Sequence, residues 1–102
     1  VGRFEESAAA FQRSLEASPT ARGFTNLGTL QYLLGRYTDA ADAFERAIQL
    51  DGASYLRWGN LGDAYRWVPG KKQRSLDAYA QAIRLARENL DANPSKRMYA
   101  RL

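Results

Sequence analysis

Apolar residues at Phe4, Ala8, Phe11 and Leu15 recur at spacings of four, three and four, the period of one helical face, and predict a helix over residues 3–17. Glu5 and Glu6 near its start and Arg13 near its end suit the helix dipole. Ser18-Pro19-Thr20 then breaks the pattern, because proline cannot continue a helix and Thr20 can cap the next one. That second helix spans residues 21–34, with Phe24, Leu27, Gly28, Gln31 and Leu34 on one face. Gly35 stops it by allowing a left-handed conformation. A third helix over residues 37–50 turns Ala40, Ala41, Phe44, Ala47 and Ile48 inward and Asp39, Asp42, Glu45 and Arg46 outward, with Asp42 and Arg46 spaced as an i, i+4 pair. After Asp51-Gly52 a fourth helix starts near Ala53 or Ser54, with Ser54 as its candidate cap. Trp67-Val68-Pro69-Gly70 forms a turn one residue longer than Leu34-Gly35-Arg36. A long helix follows from about residue 73 to 91 or 92, ended by Asn93-Pro94, and Ser95 can cap a last helix over residues 96–102.

The pattern repeats. Phe24, Leu27 and Gly28 return as Trp58, Leu61 and Gly62, 34 residues on; Phe44, Ala47 and Leu50 return as Tyr79, Ala82 and Leu85, 35 residues on. Ala10, Phe11 and Arg13 precede Ala43, Phe44 and Arg46 by 33 residues. Periods of this size mark a stacked array of supersecondary units. An aromatic residue, then Leu-Gly, then Ala, Phe and Ala on a second helix stand at Phe24, Leu27, Gly28, Ala40, Phe44 and Ala47, and again at Trp58, Leu61, Gly62, Tyr65, Ser75, Tyr79 and Ala82. In this the chain resembles the tetratricopeptide repeat family. Residues 1–19, with Ser7, Phe11, Ser14 and Pro19 in register, resemble the second helix of an earlier copy. Departures are Gln31 where an aromatic is usual, Gly52 in place of a closing proline, and the longer turn and overlong second helix of the last complete copy.

The expected fold is therefore all-α: antiparallel helix pairs stacked as a right-handed α-solenoid. Residues 1–102 form a single array, made of a half repeat over 1–19, full repeats over 20–53 and 54–93, and the start of a further repeat over 94–102. An array of this kind has neighbour-to-neighbour cores in place of one central core, and about three repeats are needed for stability. Because the chain opens in mid-pattern and closes within one, a piece of a longer protein is expected.

Composition narrows the chemistry. Cysteine and histidine are both absent, which removes disulfides, thiolate chemistry, the commonest metal ligand and the usual general base near neutral pH. The compartment stays open, since a cysteine-free chain tolerates either redox state. Apolar runs are too short to span a bilayer, so no membrane partner is expected. No phosphate-binding glycine loop, zinc spacing or nucleophile motif occurs, and no cofactor is called for. The acidic pairs Glu5-Glu6 and Asp39-Asp42 could suggest a carboxylate dyad, but both fall on outward helix faces. These features point away from an enzyme.

Charge is unevenly placed. Residues 1–53 carry five Arg against seven acids, and residues 54–102 carry ten basic residues against four acids. The basic set Lys71, Lys72, Arg74, Arg84, Arg87, Lys96, Arg97 and Arg101 invites a nucleic-acid reading. Its scatter over three elements, without interleaved aromatics, favours a solvated helical surface instead.

The resemblance implies that the first helices of successive repeats line a concave groove for a peptide or partner helix. It implies Arg22, Thr25, Asn26, Thr29, Tyr32 and Leu33 on that groove from one repeat, and Leu56, Gly59, Asn60, Asp63, Arg66 and Trp67 from the next. Asn26 and Asn60 are the candidates for gripping a ligand backbone, because an amide side chain donates and accepts at once; bonding within their own helices is the alternative. Thr25 and Thr29 stand where a chaperone carboxylate clamp of this family needs Lys and Asn, so that clamp is not expected. Trp67 is either an interface anchor or a cover for the long helix, and the second role is favoured. The chain also starts with an unpaired second helix. Phe4, Ala8, Phe11 and Leu15 are then exposed or covered from outside the chain, and a homo-oligomer completing the half repeats is the alternative to a foreign protein or peptide partner.

Overall fold

A computed structural model describes residues 2–92, without the side chain of Phe4. It contains five helices among those residues: α1 (Gly2–Ala17), α2 (Ala21–Leu33), α3 (Tyr37–Leu50), α4 (Tyr55–Arg66) and α5 (Lys72–Ala92). The helix expected over residues 96–102 lies outside the described residues.

Local chemistry explains most of the boundaries. Thr20 is extended and its hydroxyl accepts the Gly23 amide at 3.0 Å, which satisfies one of the free donors at the start of α2. At the other end Gly35 takes φ +78°, its amide donates to the Tyr32 carbonyl at 3.0 Å, and the Arg36 amide donates to the Gln31 carbonyl at 2.9 Å. That pair of bonds is a Schellman closure. Ser54 stands at the N-cap of α4 but makes no side-chain capping bond. The connection is tied instead by the Asp51 carboxylate, which accepts the Ala53 amide at 3.1 Å, and by the Trp58 indole, which donates to the Gly52 carbonyl at 2.9 Å.

Packing runs from neighbour to neighbour. One core cluster joins Ala8 and Leu15 of α1 to Phe24 and Leu27 of α2 and to Ala43 and Ala47 of α3. A second joins Ala40, Ala41 and Phe44 of α3 to Leu61, Ala64 and Tyr65 of α4 and to Ala78 of α5. The two flanks of α3 thus serve different cores. Gly28 is where α2 and α3 come together: a Cβ there would lie 2.6 Å from the Phe44 ring, and at Gly62 it would lie 2.7 Å from the Tyr79 ring. Glycine in mid-helix costs about 1 kcal/mol against alanine, and the buried Phe44 ring returns about 2–3 kcal/mol by leaving water.

The stack is tighter on one side. α2 touches α4, whereas no Cα of α1 comes within 8 Å of α3, nor one of α3 within 8 Å of α5. First helices therefore form the inner layer, and second helices splay outward over them.

Candidate peptide-binding groove

Thr29 and Tyr32 of α2 face Asn60 and Asp63 of α4 across a cavity of about 190 Å³, with Phe44 of α3 also in its lining. These four are the sequence-expected groove residues that the fold brings together around one space. Helical spacing puts each pair on the flank where α2 and α4 approach. The Asn60 amide has no hydrogen-bond partner among the described residues, so its donor and acceptor both remain available to a ligand. Asp63 accepts a hydrogen bond from the Tyr79 hydroxyl. Tyr79 is pushed up to about 12, first by burial and then by that bond and the Asp63 charge. The phenol thus stays protonated at neutral pH and holds Asp63 in place.

The other expected residues have different surroundings. Thr25 donates its hydroxyl to the Ala21 carbonyl at 2.8 Å and accepts the Arg57 Nε at 3.2 Å. Arg57 also pairs with Asp51 at 3.0 Å, so Thr25 belongs to a tie between repeats. Thr29 donates to the Thr25 carbonyl at 3.0 Å within its own helix. Arg22, Asn26 and Leu56 are exposed, and Leu33 is 75% exposed. None of these four lines the cavity. Arg66 lies with its guanidinium 5.4 Å from the centre of the Trp67 ring.

Trp67 does not cover α5. Its ring stacks on Tyr37 at 5.9 Å and 30°, its indole donates to the Tyr32 hydroxyl at 2.9 Å, and Tyr32 meets Tyr37 edge-on at 5.2 Å. This aromatic corner fastens the turn after α4 to the end of α2 and the start of α3. The longer turn at Val68-Pro69-Gly70 gives a local signal that the chain departs from the repeat here, but not which ring receives the indole.

Two further expectations are corrected. Arg46 does not pair with Asp42; its guanidinium lies 4.9 Å from the centre of the Phe24 ring, a cation–π contact. The face of α1 assigned to self-association is largely used within the chain: Ala8 and Leu15 are buried on α2 and α3, and Phe11 is half-buried. Phe4 lies outside the described side chains. Ala8 and Leu15 are in register with Ala41 and Ile48, 33 residues on, and those residues pack forward against α4. The α1 pair likewise packs forward, toward α2, and needs no preceding helix to be covered.

Of the basic set, Arg84 is engaged by Glu88 at 2.8 Å and Gln81 at 3.0 Å, and Lys96, Arg97 and Arg101 lie outside the described residues. No described helix is long and apolar enough to cross a membrane. Sequence reasoning missed Arg57, whose polar side chain breaks no hydrophobic period. It also missed the Tyr79–Asp63 contact, for which the hydroxyl at the position of Phe44 was the available signal.

A family model described as tetratricopeptide repeat matches residues 1–55. The chain belongs to the tetratricopeptide repeat family. Over 93 residues it is 36% identical to the cytochrome c-type biogenesis protein CycH of Pseudomonas aeruginosa, covering 90% of this chain and 22% of that protein. Over 84 residues it is 25% identical to the general transcriptional corepressor trfA of Dictyostelium discoideum, covering 81% of this chain and 6% of the other. The repeat array thus spans a quarter or less of each of these relatives. Among solved structures, a crystal structure of MamA superposes with a TM-score of 0.77 at 28% identity, over 89% of this chain and 53% of MamA. A second MamA structure, MamA MSR-1 C2, has the same TM-score at 20% identity, over 85% and 50%, and speaks to fold alone. Tetratricopeptide repeats of this kind are in general non-catalytic scaffolds for protein–protein interaction.

Proposed function

We propose that this chain is a non-catalytic interaction module that holds an extended peptide or a partner helix across α2 and α4. Residues 20–53 and 54–93 are the two repeat units that supply the groove. The observation that carries the reading is the convergence of Thr29, Tyr32, Asn60 and Asp63 around one cavity on the inner layer, with the Asn60 amide unpaired. Asn60 and, one repeat earlier, the exposed Asn26 grip the ligand backbone. Tyr32, Leu33, Asp63 and Arg66 set specificity. The two relatives carry names from unlike processes, cytochrome c biogenesis and transcriptional corepression, which supports a shared binding role over a shared reaction.

The test uses peptides selected from a displayed random library on the immobilised chain. Replacing Asn26 and Asn60 together by Ala is expected to weaken the selected peptides roughly tenfold or more, the loss of two backbone hydrogen bonds, with unchanged helix content by circular dichroism. Undiminished affinity in the double variant removes the groove model.

A further inference from the structure

The outward splay of the second helices leaves a cleft on the face opposite the peptide groove. Between α1 and α3 it encloses about 280 Å³, with Phe24, Leu27 and Gln31 of α2 in its lining and Asp39, Asp42 and Ala43 on the α3 wall. A cleft of about 320 Å³ recurs one repeat on, lined by Trp58, Leu61 and Tyr65 in the places of Phe24, Leu27 and Gln31. The two clefts differ in chemistry more than in size. Where the second has an aromatic ring, the first has an amide.

That amide is under-satisfied. Gln31 is only 7% exposed, and its Oε1 is buried without a hydrogen-bond partner. An unpaired buried acceptor of this kind costs about 1–3 kcal/mol, and buried polar groups are otherwise almost always paired. Gln31 lines the cleft, so a turn of its side chain brings this buried acceptor to a donor entering there. Both cations of the lining are already engaged: Arg36 pairs with Glu5 at 3.2 Å, and Arg46 sits over the Phe24 ring. The Asp39 and Asp42 carboxylates have no ion pair or hydrogen bond among the described residues. Around an apolar base, then, stand three unanswered acceptors: one amide oxygen and two carboxylates.

We infer that the cleft between α1 and α3 is a second binding site, for a primary ammonium on an alkyl stem, such as a lysine side chain presented by a partner protein. An ammonium is compact and carries three donors, against the planar fork of a guanidinium. The methylenes of such a stem rest on Leu27 and Ala43, beside the Phe24 ring that Arg46 covers, while its head meets Gln31, Asp39 and Asp42. This site lies on the outer face and stands whether or not the inner groove binds a peptide.

The experiment is an amide NMR titration of the 102-residue chain with three probes: a short lysine peptide capped at both ends, the same peptide with its lysine Nε acetylated, and putrescine. The expected result is saturable shifts of the Gln31 side-chain amide and of the Asp42 and Ala43 backbone amides with the lysine peptide and with putrescine, and none with the acetylated peptide. The tighter of the two active probes identifies the source of the ammonium as protein or free amine. Gln31→Tyr, which restores the residue type of the second repeat, is expected to weaken binding roughly tenfold, the loss of one charge-assisted hydrogen bond. Asp39→Asn with Asp42→Asn alters only exposed side chains and is expected to weaken it at least as much. Equal shifts from the acetylated peptide, or undiminished affinity in the double Asp variant, overturn the proposal.

Discussion

The helix pairs α2–α3 and α4–α5 are built to one plan and are covered very differently. In the first pair, α3 buries Ala40, Ala41, Ala43, Phe44 and Ala47; in the second, α5 is seven residues longer but buries only Ser75 and Ala78. Leu76 and Ile83, in register with Ala41 and Ile48, are 51% and 54% exposed. The cause is the number of neighbours. α3 is packed between α2 and α4, while the backbone of α5 comes within 8 Å of α4 alone among the described helices. A repeat in such an array draws its stability from what lies on either side of it, not from the length of its own helices. The second pair compensates with polar ties: the Ser75 hydroxyl donates to the Gly62 carbonyl at 2.8 Å, and Tyr79 bonds Asp63.

The contrast is sharpest at the two aromatic rings. Phe44 is 2% exposed between two neighbouring helices, and Tyr79 is half-buried. Phe44→Ala is expected to cost about 3–5 kcal/mol, and Tyr79→Ala about half that, by urea denaturation. Equal losses would break the claim that coverage on both sides is what counts.

The glycines beneath those rings give a smaller effect. Gly28→Ala pushes a Cβ to 2.6 Å from Phe44, which has no room to retreat, and should lose about 1–2 kcal/mol even after the gain in helix propensity. Gly62→Ala meets Tyr79 at 2.7 Å, but that ring can swing toward solvent, so the change should be near neutral. Thermal melts of the two variants side by side decide it, and a larger loss at Gly62 would reverse the ranking.

The smallest effect is alkaline. Tyr79 holds its proton more tightly when folded, at about 12, than at its ordinary 10.0. Its contribution to stability is therefore complete below pH 10 and lost as pH rises from 10 through about 12. Phe44 offers no such group. Tyr79→Phe should flatten the fall of the melting temperature over that window, and parallel curves for the variant and the parent would show that the Asp63 contact does not set the phenol's titration.

Much of this architecture is legible in the amino-acid sequence. Phe24, Leu27 and Gly28 recurring as Trp58, Leu61 and Gly62 revealed the array, and Thr20 and Gly35 marked the ends of α2, because a cap or a left-handed residue acts within three or four positions of itself. Of the groove, the resemblance to the repeat family put Thr29, Tyr32, Asn60 and Asp63 among the expected residues, and these four line one cavity. Other residues were misjudged for a common reason. Asp42 and Arg46 have the spacing of an ion pair, yet the Phe24 ring receives the guanidinium. Ser54 has the chemistry of a cap, yet Asp51 and Trp58 tie that connection.

The amino-acid sequence by itself determined that this chain is an all-helical repeat array, where its helices begin and end, and which positions look inward. Those are short-range consequences of period, capping and glycine. Tertiary structure alone decided that Trp67 meets Tyr32 and Tyr37, that Arg57 reaches Thr25, that Ala8 and Leu15 are already covered, and that Gln31 is left with an unanswered acceptor. Each of these depends on side chains from different helices meeting across a few ångströms, and a one-dimensional pattern carries no record of which flank of a helix its neighbour will cover.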